Sequence, residues 1–186
     1  PAADGAEFND VDGDGSYDPS IDIPGVPGAD QTIWFVANDL DPTRTQFLYG
    51  ANPLGIEMQA TIWAYARTGA LGNMFFRKYK IINKSEITFD SMYVCMWSDV
   101  DLGNSGDDYA GSDTTVSLVY CYTSNEVDGN YDPLPPPAVG FDFFQGPIVV
   151  GEPDDEAIYN GKKVIGKTNL PMTAAFYFAR GDPALT

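Results

Sequence analysis

The sequence has 186 residues, of which 44% are hydrophobic, so it holds enough apolar material for the core of one domain and does not belong to a disordered chain. Its formal net charge of −17 argues against nucleic acids and anionic membranes as partners, and its lack of His excludes Ser-His-Asp triads, Cys-His pairs and His-ligated zinc. A content of 19 Gly, 14 Pro and 13% aromatic residues is typical of many strands joined by turns.

The first element is an acidic loop over residues 9–22, NDVDGDGSYDPSID. Its carboxylates alternate along the chain and Gly15 follows them, which is the spacing by which a loop supplies the six to eight oxygen ligands of Ca²⁺. A solvated acidic turn is the alternative, but the number of oxygen ligands favours calcium. The candidate ligands of this loop are Asp10, Asp12, Asp14, the carbonyl of Ser16, Asp18 and Asp22.

An EF-hand is not expected here. The twelfth position of the loop is Ile21 rather than Glu, with Asp22 one residue late, and three prolines between positions 19 and 27 prevent a helix downstream. A loop of the dockerin or thrombospondin-repeat kind is closer to this pattern. We therefore expect residues 1–30 to form a calcium-binding loop with a Pro- and Gly-rich connector, and residues 31–186 to form the sandwich of a single domain.

Three strands are predicted in the next part of the chain. Residues 31–39, QTIWFVAND, are rich in β-forming residues and predict a buried strand. Residues 42–53 are expected to be a loop with at most a short strand near residues 47–49. Side chains alternate between two faces over residues 55–66 and 74–83, which predicts two long strands joined as a hairpin.

Apolar runs continue in the second half. Residues 91–97, SMYVCMW, predict a strand buried on both faces, and residues 116–124, 138–150 and 172–179 predict further strands. Residues 151–170 indicate a loop and a short hairpin, and no segment predicts a helix. This succession of strands and turns predicts an all-β fold, specifically an antiparallel β-sandwich of the jelly-roll type with long calcium-binding loops.

A second acidic loop, residues 98–115, separates two of these apolar runs. Its acids lie among glycines and oxygen-bearing side chains, and crowded carboxylates next to buried strands are costly unless a cation balances them. A second cation site and a solvated acidic surface are both open interpretations. The candidate ligands here are Asp99, Asp101, Asp107, Asp108 and Asp113.

Two shorter features leave alternatives open. Cys95 and Cys121 lie in apolar segments. They form either a disulfide between neighbouring strands or two buried thiols, and the disulfide is the preferred interpretation. Residues 127–133, VDGNYDP, echo residues 13–19, GDGSYDP, and two similar turns are preferred to an internal repeat.

The motifs DVDGDGSYDP, ADQTIWFVAND, WSDVDLGNSGDDYAGSDT, PPPAVGFDFFQGP and NLPMTAAFYFARGDP occur in this order. Together they resemble a β-rich module of large exported proteins of bacteria that use the type IX secretion system. The resemblance covers nearly the whole chain and implies an extracellular or cell-surface location within a modular parent. The resemblance carries no implication about activity, because such modules have no firmly assigned function.

The sequence thus predicts a non-catalytic, calcium-stabilised extracellular module with a structural or adhesive role, including that of a repeating subunit in a surface layer or filament. Its expected partners are calcium and other copies of itself or other surface proteins, without nucleic acid or membrane insertion. No apolar run approaches twenty residues, no leader is evident, and the abrupt ends suggest a piece of a larger protein.

Two alternatives involve glycans. The first is a carbohydrate-binding module of a secreted glycan-degrading protein, with exposed Tyr or Trp rings as the binding surface. The second is a glycosidase, for which Glu57 is a candidate acid because it shares a strand face with Trp63 and Tyr65. A surface Glu beside covered aromatic rings is the preferred explanation of that group.

Overall fold

The computed structural model describes residues 1–177, and antiparallel sheets dominate it, which confirms the predicted all-β class. None of its helices in this range is long and apolar enough to cross a membrane. The chain forms two compact units, Pro1–Met92 and Tyr93–Thr186. The elements are β1 (Phe8–Asn9), β2 (Ile23–Pro24), β3 (Gln31–Asn38), α1 (Pro42–Tyr49), β4 (Ile56–Ala64), β5 (Phe75–Asn83), β6 (Asp108–Asp113), β7 (Leu118–Thr123), β8 (Ala138–Asp142), β9 (Ile148–Val150), β10 (Glu156–Tyr159), β11 (Lys162–Ile165) and β12 (Lys167–Asn169).

The first unit is built on a three-stranded sheet in the order β3-β4-β5. The hairpin predicted from residues 55–66 and 74–83 is present, with Ala60 opposite Tyr79 on β5 and opposite Phe35 on β3. Ala60 is fully buried, and its neighbours Gln59 and Thr61, which point to the other face, are buried as well. The centre of β4 is therefore buried on both faces, although Phe35 and Tyr79 beside Ala60 remain 41% and 42% exposed.

Residues 1–30 cover one of these two faces. Lys78 on β5 forms an ion pair with Glu7, and Gly5 lies so close to Gln59 that a Cβ at this glycine would be 2.6 Å from Oε1. A Cβ at position 5 would require the end of the Gln59 side chain to shift, and the φ of 106° would also strain any residue other than glycine. The acidic loop therefore belongs to the same packed unit as the sheet that follows it.

The prediction that the chain has no helix is wrong at residues 42–53. The N-cap of α1 is Asp41, whose carboxylate accepts hydrogen bonds from the N–H groups of Thr43 and Arg44, and its C-cap is Gly50 in the left-handed region. These capping groups specify the helix, since a cap acceptor, a Pro at the first helical position and a terminal Gly are its start and stop signals. The helix has no apolar stripe that would indicate it in the sequence. Phe47 lies on its outer surface and is 87% exposed.

The second unit contains a three-stranded sheet in the order β6-β7-β8 and two strand pairs, β9 with β12 and β10 with β11. The strand predicted at residues 116–124 corresponds to β7, and residues 138–150 divide into β8 and β9. The hairpin expected within residues 151–170 is β10–β11. Of the strand predicted at residues 172–179, residues 172–177 are not in a strand, and the remainder lies outside the described residues.

The strand predicted at residues 91–97 is absent, and its side chains are exposed rather than buried. Ser91 has a φ of 55°, which lies outside the extended region that a strand requires, and Tyr93 is 87% exposed. The preferred disulfide is likewise wrong, because Cys95 and Cys121 are both free thiols. Cys95 is exposed, so the reading of two buried thiols does not hold for it either.

Replacing Asp41 by Ala should lower the free energy of unfolding by about 1 kcal/mol, because two N–H groups at the start of α1 lose their acceptor. The matched control is Asp41→Asn, which keeps an acceptor oxygen at the same position and should unfold close to the wild type. Urea denaturation measures both, and equal destabilisation by the two variants would contradict a capping role.

Candidate metal centre

Asp10 is held in place by the loop that it begins. Its two carboxylate oxygens accept hydrogen bonds from the N–H groups of Gly13 and Gly15, each at 2.8 Å. Both glycines have positive φ, 76° and 80°, which lets the loop fold back around the carboxylate. The hydrogen bond from Gly15, together with that from Gly13, holds the pKa of Asp10 below its usual value and keeps it ionised.

Asp22 closes the loop from its other end. Its oxygens accept hydrogen bonds from the N–H groups of Val11 at 2.9 Å and Asp18 at 2.8 Å. The N–H of Asp22 donates in turn to the carbonyl of Asp18, which forms a tight turn that brings the side chain back toward the start of the loop. Only 5% of Asp22 is exposed, so this carboxylate lies inside the loop rather than on its surface.

One carboxylate oxygen from each of Asp10, Asp12 and Asp22 lies within 4.8 Å of the other two. Asp10 is half-buried, Asp12 is exposed and Asp22 is buried, so this acidic triad spans the loop from its surface to its interior. Its donor atoms are all charged oxygens, which suit a hard cation such as Ca²⁺ rather than a metal that prefers sulfur or nitrogen. A carboxylate that accepts one N–H bond on each oxygen keeps lone pairs for an ion, so the residues fit such a group.

The other candidate ligands of this loop do not belong to the triad. Asp14 accepts a hydrogen bond from the N–H of Ser16 at 2.7 Å, and Asp18 accepts bonds from the N–H and Oγ of Ser20. The hydroxyl of Ser20 is the main cause of a lowered pKa at Asp18. Each of these carboxylates stabilises a local turn by accepting a hydrogen bond from the N–H two residues later, which is a frequent role of Asp in loops.

The five acids of the second loop are not gathered into a comparable group within residues 1–177. Asp113 accepts bonds from Thr115, whose hydroxyl is the main cause of its lowered pKa, while Asp99 and Asp101 are exposed. Asp107 bonds to the side chain of Asn125, and Asp108 accepts from the N–H of Leu102. The Oδ1 atoms of Asp107 and Asp108 are buried without a hydrogen-bond partner, and a cation there stays a prediction.

Cys121 on β7 lies within the electrostatic reach of this loop. Burial raises the pKa of its thiol, and the nearby carboxylates of Asp108 and Asp101 raise it further. The thiol is therefore protonated at neutral pH and is a poor nucleophile.

Asp128 is a structural carboxylate that the sequence analysis did not single out. It is 5% exposed, and its two oxygens accept hydrogen bonds from the N–H groups of Asn104 at 2.8 Å and Asn130 at 2.7 Å. It thereby ties the second acidic loop to residues 127–133. The echo between DGNYDP and DGSYDP was the available signal, because Asp14 and Asp128 each accept from the N–H two residues later.

The chain matches no protein-family model, no curated protein and no solved structure.

Asp128→Asn should lower the melting temperature at pH 7 by several degrees, because an amide nitrogen would face one of the two N–H donors. Bonds from Asn104 and Asn130 lower the pKa of Asp128 in the folded state, so its stabilisation is present above the usual carboxyl pKa and is lost as the pH falls through the lowered value. The difference between variant and wild type should consequently shrink toward about pH 2. Thermal melts at both pH values measure this, with exposed Asp154→Asn as the control, and a difference independent of pH would contradict it.

Proposed function

We propose that this chain is a non-catalytic, calcium-stabilised β-sandwich module of the jelly-roll type, with a structural or adhesive role at the cell surface or outside the cell. The observation that carries the proposal is the convergence of Asp10, Asp12 and Asp22 within 4.8 Å. Calcium is the ion of choice because the donors are all oxygen and because loops of alternating Asp and Gly are typical calcium loops.

The triad gives calcium an electrostatic role in folding. Three carboxylates within 4.8 Å repel one another, and a divalent ion between them removes this repulsion in the folded state. An ion that binds only the folded chain adds RT ln(1 + [L]/Kd), which is about 2.7 kcal/mol at a hundredfold excess over Kd. Extracellular modules commonly bind calcium at about 10⁻⁴ to 10⁻³ M, so such a loop is ordered outside a cell and loose inside it.

An exported location is supported by the order of motifs that resembles modules of type IX secreted proteins. A non-catalytic role is supported by the absence of His from the sequence and by the surroundings of Glu57. The Glu57 carboxylate forms an ion pair with Lys84 at 3.4 Å and accepts a hydrogen bond from Gln59, so both neighbours hold it in a structural arrangement.

Calcium binding by the triad is tested with two variants of the same kind, one at a residue of the triad and one at a neighbouring Asp outside it. Asp12→Asn removes one triad charge and should abolish most of the calcium-dependent rise in melting temperature, whereas the matched control Asp14→Asn should retain it. Melting is followed in calcium, in magnesium and in excess chelator. A calcium shift that survives in Asp12→Asn, or is lost equally in both variants, would refute the triad as the binding site.

Self-association is supported by the sheet face opposite residues 1–30. Ile33 and Phe35 on β3 and Tyr79 and Ile81 on β5 lie on this face by register, and each is between 38% and 50% exposed. In the part of the chain that the structure describes, β3 and β5 each pair with β4 alone. An apolar face between two open strand edges favours the packing of a second copy.

In calcium, sedimentation velocity should therefore show species larger than the monomer as protein concentration rises. Phe35→Lys should return the chain to monomer, because it places a charge on the exposed apolar face, while Leu48→Lys on the exposed surface of α1 should not. Monomers at all concentrations in calcium would refute the assembly part and leave the calcium-binding part intact.

A further inference from the structure

Three tyrosines form a row on one face of the sheet β6-β7-β8. Tyr109 on β6 lies opposite Tyr122 on β7, and Tyr120 is two positions from Tyr122 on the same strand and hence on the same face. The ring centroids are 6.0 Å apart between Tyr109 and Tyr122 and 5.9 Å apart between Tyr120 and Tyr122. Tyr109 is 55% exposed and Tyr122 is 43% exposed, so this tyrosine row presents ring surface to solvent.

Small residues surround the row on the same face. Tyr120 lies between Gly111 on β6 and Gly140 on β8, and Ala138 lies next to Tyr122. A Cβ at Gly111 would be 2.5 Å from Cζ of Tyr120, which means that this ring lies directly against the backbone of the neighbouring strand. Gly111 thus lets the Tyr120 ring lie against the sheet, whereas a larger residue at this position would push the ring away.

Tyr122, the central ring of the row, also lines a groove of about 320 Å³ at the end of β7 and the start of β8. Pro135, Pro136 and Pro137 line one part of it, and Tyr122 lines another. Asn125 and Glu126 also line the groove and bring polar residues to it. Ring surface and polar residues therefore occur together around Tyr122.

We propose that the tyrosine row and this groove bind an uncharged polysaccharide. A sugar ring has an apolar C–H face that stacks on an aromatic ring and hydroxyl groups that bond to amides and carboxylates, and a chain of such rings needs several aromatic surfaces in sequence. The net charge of −17 disfavours anionic polymers. The site lies in the second unit, involves none of the triad, and is independent of the calcium proposal.

A cationic ligand is the main competitor, since aromatic faces and carboxylates attract cations as well. The tyrosine planes, however, are tilted by only 33° and 36° to one another, so they form a gently curved strip. Rings that enclose a single cation meet at steeper angles around it. The strip geometry therefore favours an extended ligand with repeated flat faces.

The other aromatic candidates of the sequence are less suited to this role. Trp63 stacks on Phe76 with ring centroids 5.5 Å apart, and Tyr65 packs edge-on against the same ring at 5.9 Å. Both Trp63 and Tyr65 are half-buried, so their faces are partly used within the first unit.

The test is affinity electrophoresis of the whole chain in native gels that contain hydroxyethylcellulose, arabinoxylan, mannan or dextran. We expect at least one of these polymers to retard the wild type, in excess chelator as well as in calcium. Tyr109→Ala and Tyr122→Ala should each weaken the retardation about tenfold, and Tyr122→Phe, which keeps the ring, should retain most of it. Tyr159→Ala, at a half-exposed tyrosine on β10, is the matched control and should bind like the wild type.

Gly111→Ala gives an independent check, because it should displace Tyr120 without deleting a ring and should also weaken retardation. Circular dichroism and thermal melts establish that each variant is folded. The proposal is overturned if none of the four polymers retards the wild type or if the two Tyr→Ala variants bind unchanged. Retardation by polylysine alone that is weakened in Tyr122→Ala would instead identify a cationic partner at the row and equally overturn the proposal.

Discussion

Carboxylates that accept hydrogen bonds from backbone N–H groups hold together the irregular parts of this chain. Asp10 and Asp22 organise the first loop, Asp39 bonds to the N–H groups of Leu54 and Ile56 after α1, and Asp128 anchors the second acidic loop. Loop backbone cannot satisfy its own donors as a helix or sheet does, so side-chain acceptors must replace that pairing. The abundance of Asp in the sequence is therefore a structural requirement of its long connections.

The same carboxylates repel one another, and a bound cation would reduce this repulsion. Each Asp that orders a loop brings a charge with it, and the first loop concentrates three of these charges in one place. Backbone N–H groups offset part of the repulsion, as the lowered pKa of Asp10 indicates, but they carry only partial positive charge. A divalent ion brings two full positive charges to the three carboxylates, which connects the composition of the chain to the proposed dependence on calcium.

The two proposed sites use different parts of the chain and different physics. The triad depends on charge and lies in the first unit, whereas the tyrosine row depends on ring surface and lies in the second. Salt and chelator are expected to weaken cation binding at the triad, and deletion of a ring is expected to weaken polymer binding at the tyrosine row. The two proposals together describe an adhesive module in which calcium would maintain the fold and aromatic rings would contact a polymer.

The sequence alone determined the all-β class and the main strands, because alternation over residues 55–66 and 74–83 follows directly from strand geometry. It also located the first acidic loop, since ligand spacing is local. It did not reveal α1, which has capping residues but no apolar stripe. It also did not reveal that residues 91–97 form no strand.

Only the tertiary structure decided which acids meet. Asp22 joins Asp10 and Asp12 through a turn that returns the chain on itself, while Asp14, closer in sequence, bonds to Ser16 instead. Tyr109 and Tyr122 are likewise neighbours only through the pairing of β6 with β7. Local spacing limits what one segment can bind, but contacts between distant residues depend on register and loop closure, which no short pattern encodes.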